Sequence, residues 1–209
     1  MILDAIQKMA QADDTCSLIV STDGPLDAPI QEVLEQLCTL GRDVRILVQS
    51  GRTFEQRFLG TLDAVFERGF ERVVALGSDT PAFSAADVRC ALLSDQLTVG
   101  PSRDGGFYLV GLSADEVGLL RGLPWRTTGV FKSLFQRACH MTVLSTRADV
   151  DSPQDAKTQW TLLCRLVVEQ LGELPDHNVQ IPFKDCPPPP QAPHRLPRLM
   201  RGPPVISLV

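Results

Sequence analysis

The chain has 209 residues, of which 44% are hydrophobic and 22% charged, and a formal net charge of -5. That length suits one domain with a substantial core and is short for two. An acidic balance lacks the basic face with which nucleic-acid binders neutralise phosphates, so no nucleic-acid partner is expected.

The opening M-I-L-D-A-I-Q-K has no basic region followed by an apolar stretch, and no signal peptide is expected. Ile2, Ile6 and Met9 stand at helical spacing within residues 2–11. Ser17–Val20 reads as a short strand closed by S-T-D-G-P. Ile30–Leu40 is an amphipathic helix pattern stopped by Gly41, and Val44–Val48 is again strand-like. Thr53 is placed to cap a long helix with Phe54, Phe58, Leu62, Val65 and Phe66 on its apolar face. The run Val73–Leu76 leads into G-S-D-T-P, and Ser84 with Asp87 three residues on marks a helix over Ser84–Ser94. Leu97–Val99 and Phe107–Leu112 are strands around D-G-G, followed by helices over Ser113–Leu120 and Val130–His140. After the apolar run Met141–Thr146, Ser152 and Pro153 supply a cap and a first-turn proline for a helix reaching about Leu171.

Strand and helix patterns alternate, which predicts βαβ units and a mostly parallel sheet covered by helices, with one antiparallel excursion at D-G-G. No apolar run approaches the ~20 residues that span a bilayer. The six cysteines include no C-x-x-C pair, which favours reduced thiols over disulfides or a zinc site and implies a cytoplasmic protein. From Glu173 the character changes, with ten of the 16 prolines in residues 173–209. The expected organisation is an α/β domain over residues 1–172 and a proline-rich tail over 173–209. Such a tail is expected to be extended or disordered and passive, or else a ligand for a proline-reading module.

Three acidic groups stand at the ends of apolar runs, where open α/β sheets hold ligands. Asp79 follows Val73–Leu76 in a loop stiffened by Pro81, and reads either as a ligand-binding carboxylate or as a turn or helix cap. The Gly-rich turn Asp104-Gly105-Gly106 permits positive φ and close approach of a ligand to the backbone, or is a plain tight turn. In Asp149-Val150-Asp151 an extended backbone puts both carboxylates on one side, favouring a divalent cation such as Mg²⁺ or Mn²⁺; the alternative is helix-entry chemistry at Asp151-Ser152-Pro153. Trp125, in L-P-W-R-T-T-G, is a candidate for stacking a base or sugar, or a packing residue. The loop G-S-D-T-P is no phosphate-cradling P-loop, because it lacks the G-K-[ST] element.

In order, these motifs resemble the glycosyltransferase-A-like family of unknown function numbered 2064. Its pattern is G-[ST]-D-x-P, G-P-x-x-D-G-G-[FY]-Y-L-[IV]-G-L, P-W-x-T and D-V-D-[ST]-P-x-D, which this chain carries at Gly77–Pro81, Gly100–Leu112, Pro124–Thr127 and Asp149–Asp155. A more distant similarity is to the nucleotidyltransferases that build molybdenum and deazaflavin cofactors. The resemblance implies a Rossmann-like three-layer α/β sandwich of the nucleotide-diphospho-sugar transferase type. It implies a metal-dependent glycosyltransferase or nucleotide-sugar transferase acting on a nucleotide-activated small molecule. By position, Asp79 would be a metal ligand, with Asp151 and Asp149 beside it. Asp104 would be the catalytic residue, and Gly77, Ser78, Thr80, Gly105, Gly106 and Trp125 would bind substrate. Family members also begin with a further strand and a loop resembling G-x-x-K-T-R-L, which these residues do not contain, so an N-terminally shortened domain is expected. The alternatives are a catalytically impaired homologue acting as a binding or scaffold protein, and a nucleotidyltransferase of cofactor biosynthesis.

Overall fold

In a computed structural model, which describes residues 1–150, 152–171 and 205–208, the short apolar runs pair into one sheet. Its strands are β1 (Leu18–Thr22), β2 (Val44–Val48), β3 (Arg72–Gly77), β4 (Thr98–Pro101), β5 (Phe107–Ser113), β6 (Thr142–Val143) and β7 (Val205–Leu208). They lie in the order β2-β1-β7-β3-β5-β4-β6. β1 is parallel to β2, and β4 to β6. β5 is antiparallel to β3 and β4, and β7 is antiparallel to β1 and β3. Five of the seven strands therefore point the same way, and the D-G-G excursion is the reversal at β5.

The helices are α1 (Ile2–Ala12), α2 (Ala28–Thr39), α3 (Phe54–Phe66), α4 (Ala85–Leu93), α5 (Val117–Leu120), α6 (Val130–Arg137), α7 (Pro153–Thr158) and α8 (Trp160–Leu171). Alternation along the strands sorts side chains to two faces. Val74 and Leu76 of β3, with Leu18 and Val20 of β1, pack against Ile6 and Met9 of α1, Leu34 of α2 and Val88 of α4. Val73 and Ala75 face the other way, with Ile19, Val99 and Val110, onto Leu62 of α3, Leu120 of α5 and Leu134 of α6. The result is the three-layer α/β sandwich. No helix among the described residues is long and apolar enough to cross a membrane.

Local chemistry sets the helix starts. Thr53, Ser84 and Ser152 each accept a hydrogen bond from the backbone N–H three residues on, whose side chain (Gln56, Asp87, Asp155) reaches back. Such reciprocal caps satisfy backbone donors that the first turn leaves without partners. Several ends depart from the sequence pattern. α6 stops at Arg137, because Ala138 turns extended. The run Met141–Thr146 yields only the two-residue β6. The helix expected to run from Pro153 to about Leu171 divides at Gln159 into α7 and α8. Cys16, Cys38, Cys90 and Cys139 are free thiols.

The largest difference lies at the C-terminus. Most of the expected tail is outside the described residues, and with it the segment that would meet a proline-reading module. Val205–Leu208, however, is a strand in the middle of the sheet, so the picture of a passive tail does not extend to these four residues. A run of four residues after two prolines carries too little local pattern to declare itself a central strand; only the two edges that it pairs with do so.

Leu62 is fully buried between α3 and the sheet. Leu62→Ala should lower the unfolding free energy in urea by about 3 kcal/mol, the transfer and cavity terms together.

Candidate functional site

The strands that share one direction end on one rim, and the loops that follow them collect the candidate residues. β3 is buried on both faces from Val73 to Leu76 and emerges at Gly77. A Cβ at Gly77 would stand 2.7 Å from Asp79 Oδ1, so the glycine makes room for the Asp79 carboxylate to fold back over the strand end. Ser78 and Thr80 on either side are buried at 8% and 1% exposure, leaving half-buried Asp79 between two anchored neighbours. The Thr80 hydroxyl is buried without a hydrogen-bond partner, a costly arrangement that a polar ligand would relieve. Lys8 holds the loop from below: its Nζ donates to the Pro81 carbonyl and to Asp4 Oδ2, each at 2.8 Å, and lies 4.9 Å over the Phe83 ring.

The D-G-G turn is built between β4 and β5. Asp104 Oδ1 accepts from the Ser102 hydroxyl and from Gly106 N at 2.9 Å, while Ser102 N donates to the Gly106 carbonyl at 3.1 Å. The exposed Asp104 carboxylate is thus oriented by its own turn. Gly105 has φ +91, and a Cβ there would meet the Thr128 carbonyl oxygen at 2.1 Å. Its carbonyl in turn accepts from Phe131 N at 2.9 Å, which fixes the turn against the start of α6. A glycine is required here for both conformation and space.

The third motif joins the first through the backbone. Val150 N donates to the Asp79 carbonyl at 2.9 Å, and Gln159 Nε2 donates to the Asp149 carbonyl at 2.9 Å. Arg147 links this segment to the D-G-G turn: its N donates to the Pro101 carbonyl and its carbonyl accepts from Arg103 N, both at 3.0 Å. The Arg147 side chain pairs with Asp87, the capping residue of α4, at 3.2 Å. The structure therefore brings together Gly77, Ser78, Asp79, Thr80, Asp104, Gly105, Gly106 and Asp149 on one rim, whereas Asp151 lies outside the described residues.

The Trp125 side chain lies among other aromatic rings. Its ring contacts Phe54, Phe58 and Phe107 at centroid distances of 5.3, 5.5 and 5.7 Å, so this side chain serves as packing between α3 and β5. Lys8 and Arg147 are the residues that sequence reasoning missed. Neither stands in a motif, and no local signal announces a contact 73 residues away, as between Lys8 and Pro81.

The donor set can be tested against a divalent cation. No group of three His, Cys, Asp or Glu residues that could hold a metal occurs among the described residues. Asp79 and Asp149 supply two carboxylates on adjoining loops. A Mg²⁺-type ion, bound by one or two carboxylates together with substrate phosphates, fits such a set.

This rim, at the carboxyl ends of an open α/β sheet, belongs to a nucleotide-diphospho-sugar transferase fold. The structure is similar to the crystal structure of a protein from Desulfovibrio desulfuricans G20 described as a putative nucleotide-diphospho-sugar transferase. The match has a TM-score of 0.60 and 24% identity, and covers 81% of this chain and 82% of that one. The chain belongs to the family described as an uncharacterized protein conserved in bacteria (DUF2064), whose model matches residues 5–127. No curated protein matches it.

Two measurements check the rim. Gly105→Ala forces a side chain onto a backbone carbonyl in a left-handed conformation, and should cost upward of about 2 kcal/mol in urea unfolding. Tyr108, the only tyrosine, donates to the Ser145 carbonyl at 3.3 Å beneath the third motif. Burial, and then the Asp87 charge, push its pKa from 10.0 up to about 12. A raised pKa means the neutral phenol is favoured in the folded state. Its stability contribution is therefore present below pH 10.0 and lost as pH rises toward about 12, and native tyrosinate absorbance should appear only as pH approaches about 12.

Proposed function

We propose that the protein is a metal-dependent transferase acting on a nucleotide-activated sugar, with its site on the rim formed by the Gly77–Pro81, Asp104–Gly106 and Asp149–Val150 loops. The observation that carries this reading is the 2.9 Å hydrogen bond from Val150 N to the Asp79 carbonyl. It holds the two acidic loops side by side where ligands of open α/β sheets bind.

In this reading Asp79 and Asp149 would hold a divalent cation, with Asp151 as a further ligand, and its positive charge would be available against the charge developing on the leaving nucleoside diphosphate. Gly77 keeps space open for the Asp79 carboxylate, and the buried Ser78 and Thr80 hydroxyls donate to the donor's polar groups. The glycine pair Gly105-Gly106 admits the sugar close to the backbone. Asp104, oriented by Ser102 and Gly106, takes the proton of the acceptor hydroxyl as general base. Lys8 positions the Asp79 loop through the Pro81 carbonyl.

A thermal-shift panel of UDP-, GDP-, CDP- and ADP-type ligands, with and without Mn²⁺, tests this. A ligand present at about 100 times its Kd adds about 2.7 kcal/mol to the native state. One base should raise the melting temperature in a metal-dependent way, and Asp79→Ala should remove that shift while the variant still melts cooperatively. An unchanged shift in Asp79→Ala would sink the ligand assignment. A flat panel with the wild-type chain would transfer the case to a binding or scaffold role, and pyrophosphate release from a nucleoside triphosphate would transfer it to nucleotidyl transfer.

A further inference from the structure

β7 occupies a place that its neighbours would otherwise leave as a slot. Its four residues pair with β1 as Leu18↔Leu208, Ile19↔Ser207, Val20↔Ile206 and Ser21↔Val205. On the other edge they pair with β3 as Val74↔Leu208, Ala75↔Ser207, Leu76↔Ile206 and Gly77↔Val205. β1 and β3 run in the same direction, and β7 opposes both. Without β7 the sheet divides into β2-β1 and β3-β5-β4-β6, with a facing row of buried backbone donors and acceptors left unpaired on each side.

The walls of that slot are held together by other parts of the chain. On one face Leu18 and Val20 share a core with Val74 and Leu76 beneath α1 and α4. On the other, Ile19 shares a core with Val73 and Ala75 beneath α3. Arg89 of α4 donates to the Ala12 carbonyl at the end of α1 at 3.0 Å, and Lys8 of α1 reaches the Pro81 loop that follows β3. These ties span the slot without using Val205–Leu208. In sequence the occupant is separated from α8 by residues 172–204, a stretch containing ten prolines.

We propose that the space between β1 and β3 is a strand-acceptor groove for an extended apolar segment of about four residues, and that Val205–Leu208 of the same chain is its exchangeable occupant. Main-chain pairing on two edges supplies the affinity, as in other cases where a peptide adds a strand to a sheet. Belonging to the same chain gives the segment an advantage over a free competitor, because its binding is intramolecular. Because Val205 pairs with Gly77, occupancy also braces the strand end from which the Ser78–Thr80 loop departs.

The test uses the full chain, its Ile206→Pro variant and a labelled peptide of residues 202–209. Ile206 pairs with both Val20 and Leu76, and proline removes its N–H. The variant should melt below wild type, bind the peptide, and recover part of its melting temperature on binding. The wild-type chain should take up the peptide on the order of 100-fold more weakly, because its own strand competes. A variant with wild-type melting and no peptide uptake overturns the proposal. If the variant does not fold, hydrogen exchange in the intact wild type decides. Amides of 205–208 that are protected yet open before those of Val74–Leu76 support an exchangeable strand. Exchange of both segments together, only on global unfolding, overturns it. A wild-type dimer that Ile206→Pro abolishes would place a second copy's strand in the groove and overturn assignment to the chain's own segment.

Discussion

Everything on the rim hangs from β3. Its residues Val73–Leu76 are buried on both faces, and its backbone is paired on both edges, by β5 and by β7. A strand so enclosed has no freedom in register, since a slip of one residue would exchange the side chains of its two faces. The position of Gly77 follows from that, and the positions of Ser78, Asp79 and Thr80 follow from Gly77. Asp79 is thereby presented by a rigid element, and its carbonyl is available as an anchor for the Asp149 loop.

The other two motif segments reach the rim by different means. D-G-G is locked by its own Asp104, whose carboxylate closes the turn, and by a glycine too close to Thr128 to carry a side chain. The segment around Asp149 has almost no regular structure of its own, since β6 is two residues long. It is placed by backbone hydrogen bonds: Arg147 N donates to the Pro101 carbonyl, Val150 N to the Asp79 carbonyl, and Arg103 N to the Arg147 carbonyl. The rim is therefore a chain of backbone contacts in which the strand-borne loop fixes the weaker ones.

Beneath the rim, the ion pair of Arg147 with Asp87 joins the third motif to a helix cap. Its contribution to stability is small by itself for partly exposed groups. Its effect is to make the α4 start, the Tyr108 hydroxyl region and the Asp149 loop one unit. Lys8 does the same from α1. These two cations explain why helices remote in sequence control the geometry of an acidic site.

Much of the fold was legible in the residues because its signals are local. The caps at Thr53, Ser84 and Ser152, the unbroken apolar run Val73–Leu76 and the strand-like Val44–Val48 each state their structure within a few residues. So did the order of the four motifs, which placed the chain in its family, and the glycines that a turn at Asp104 needs. What the sequence could not decide is whatever depends on contacts between distant segments. The packing of Trp125 among Phe54, Phe58 and Phe107, the reach of Lys8 to Pro81 and the tie of Val150 to Asp79 carry no periodicity. Least legible was Val205–Leu208, four residues that read as the end of a proline-rich tail. They become the centre of a sheet because two parallel-running strands, held in place by cores on both faces, present backbone groups that a strand between them pairs.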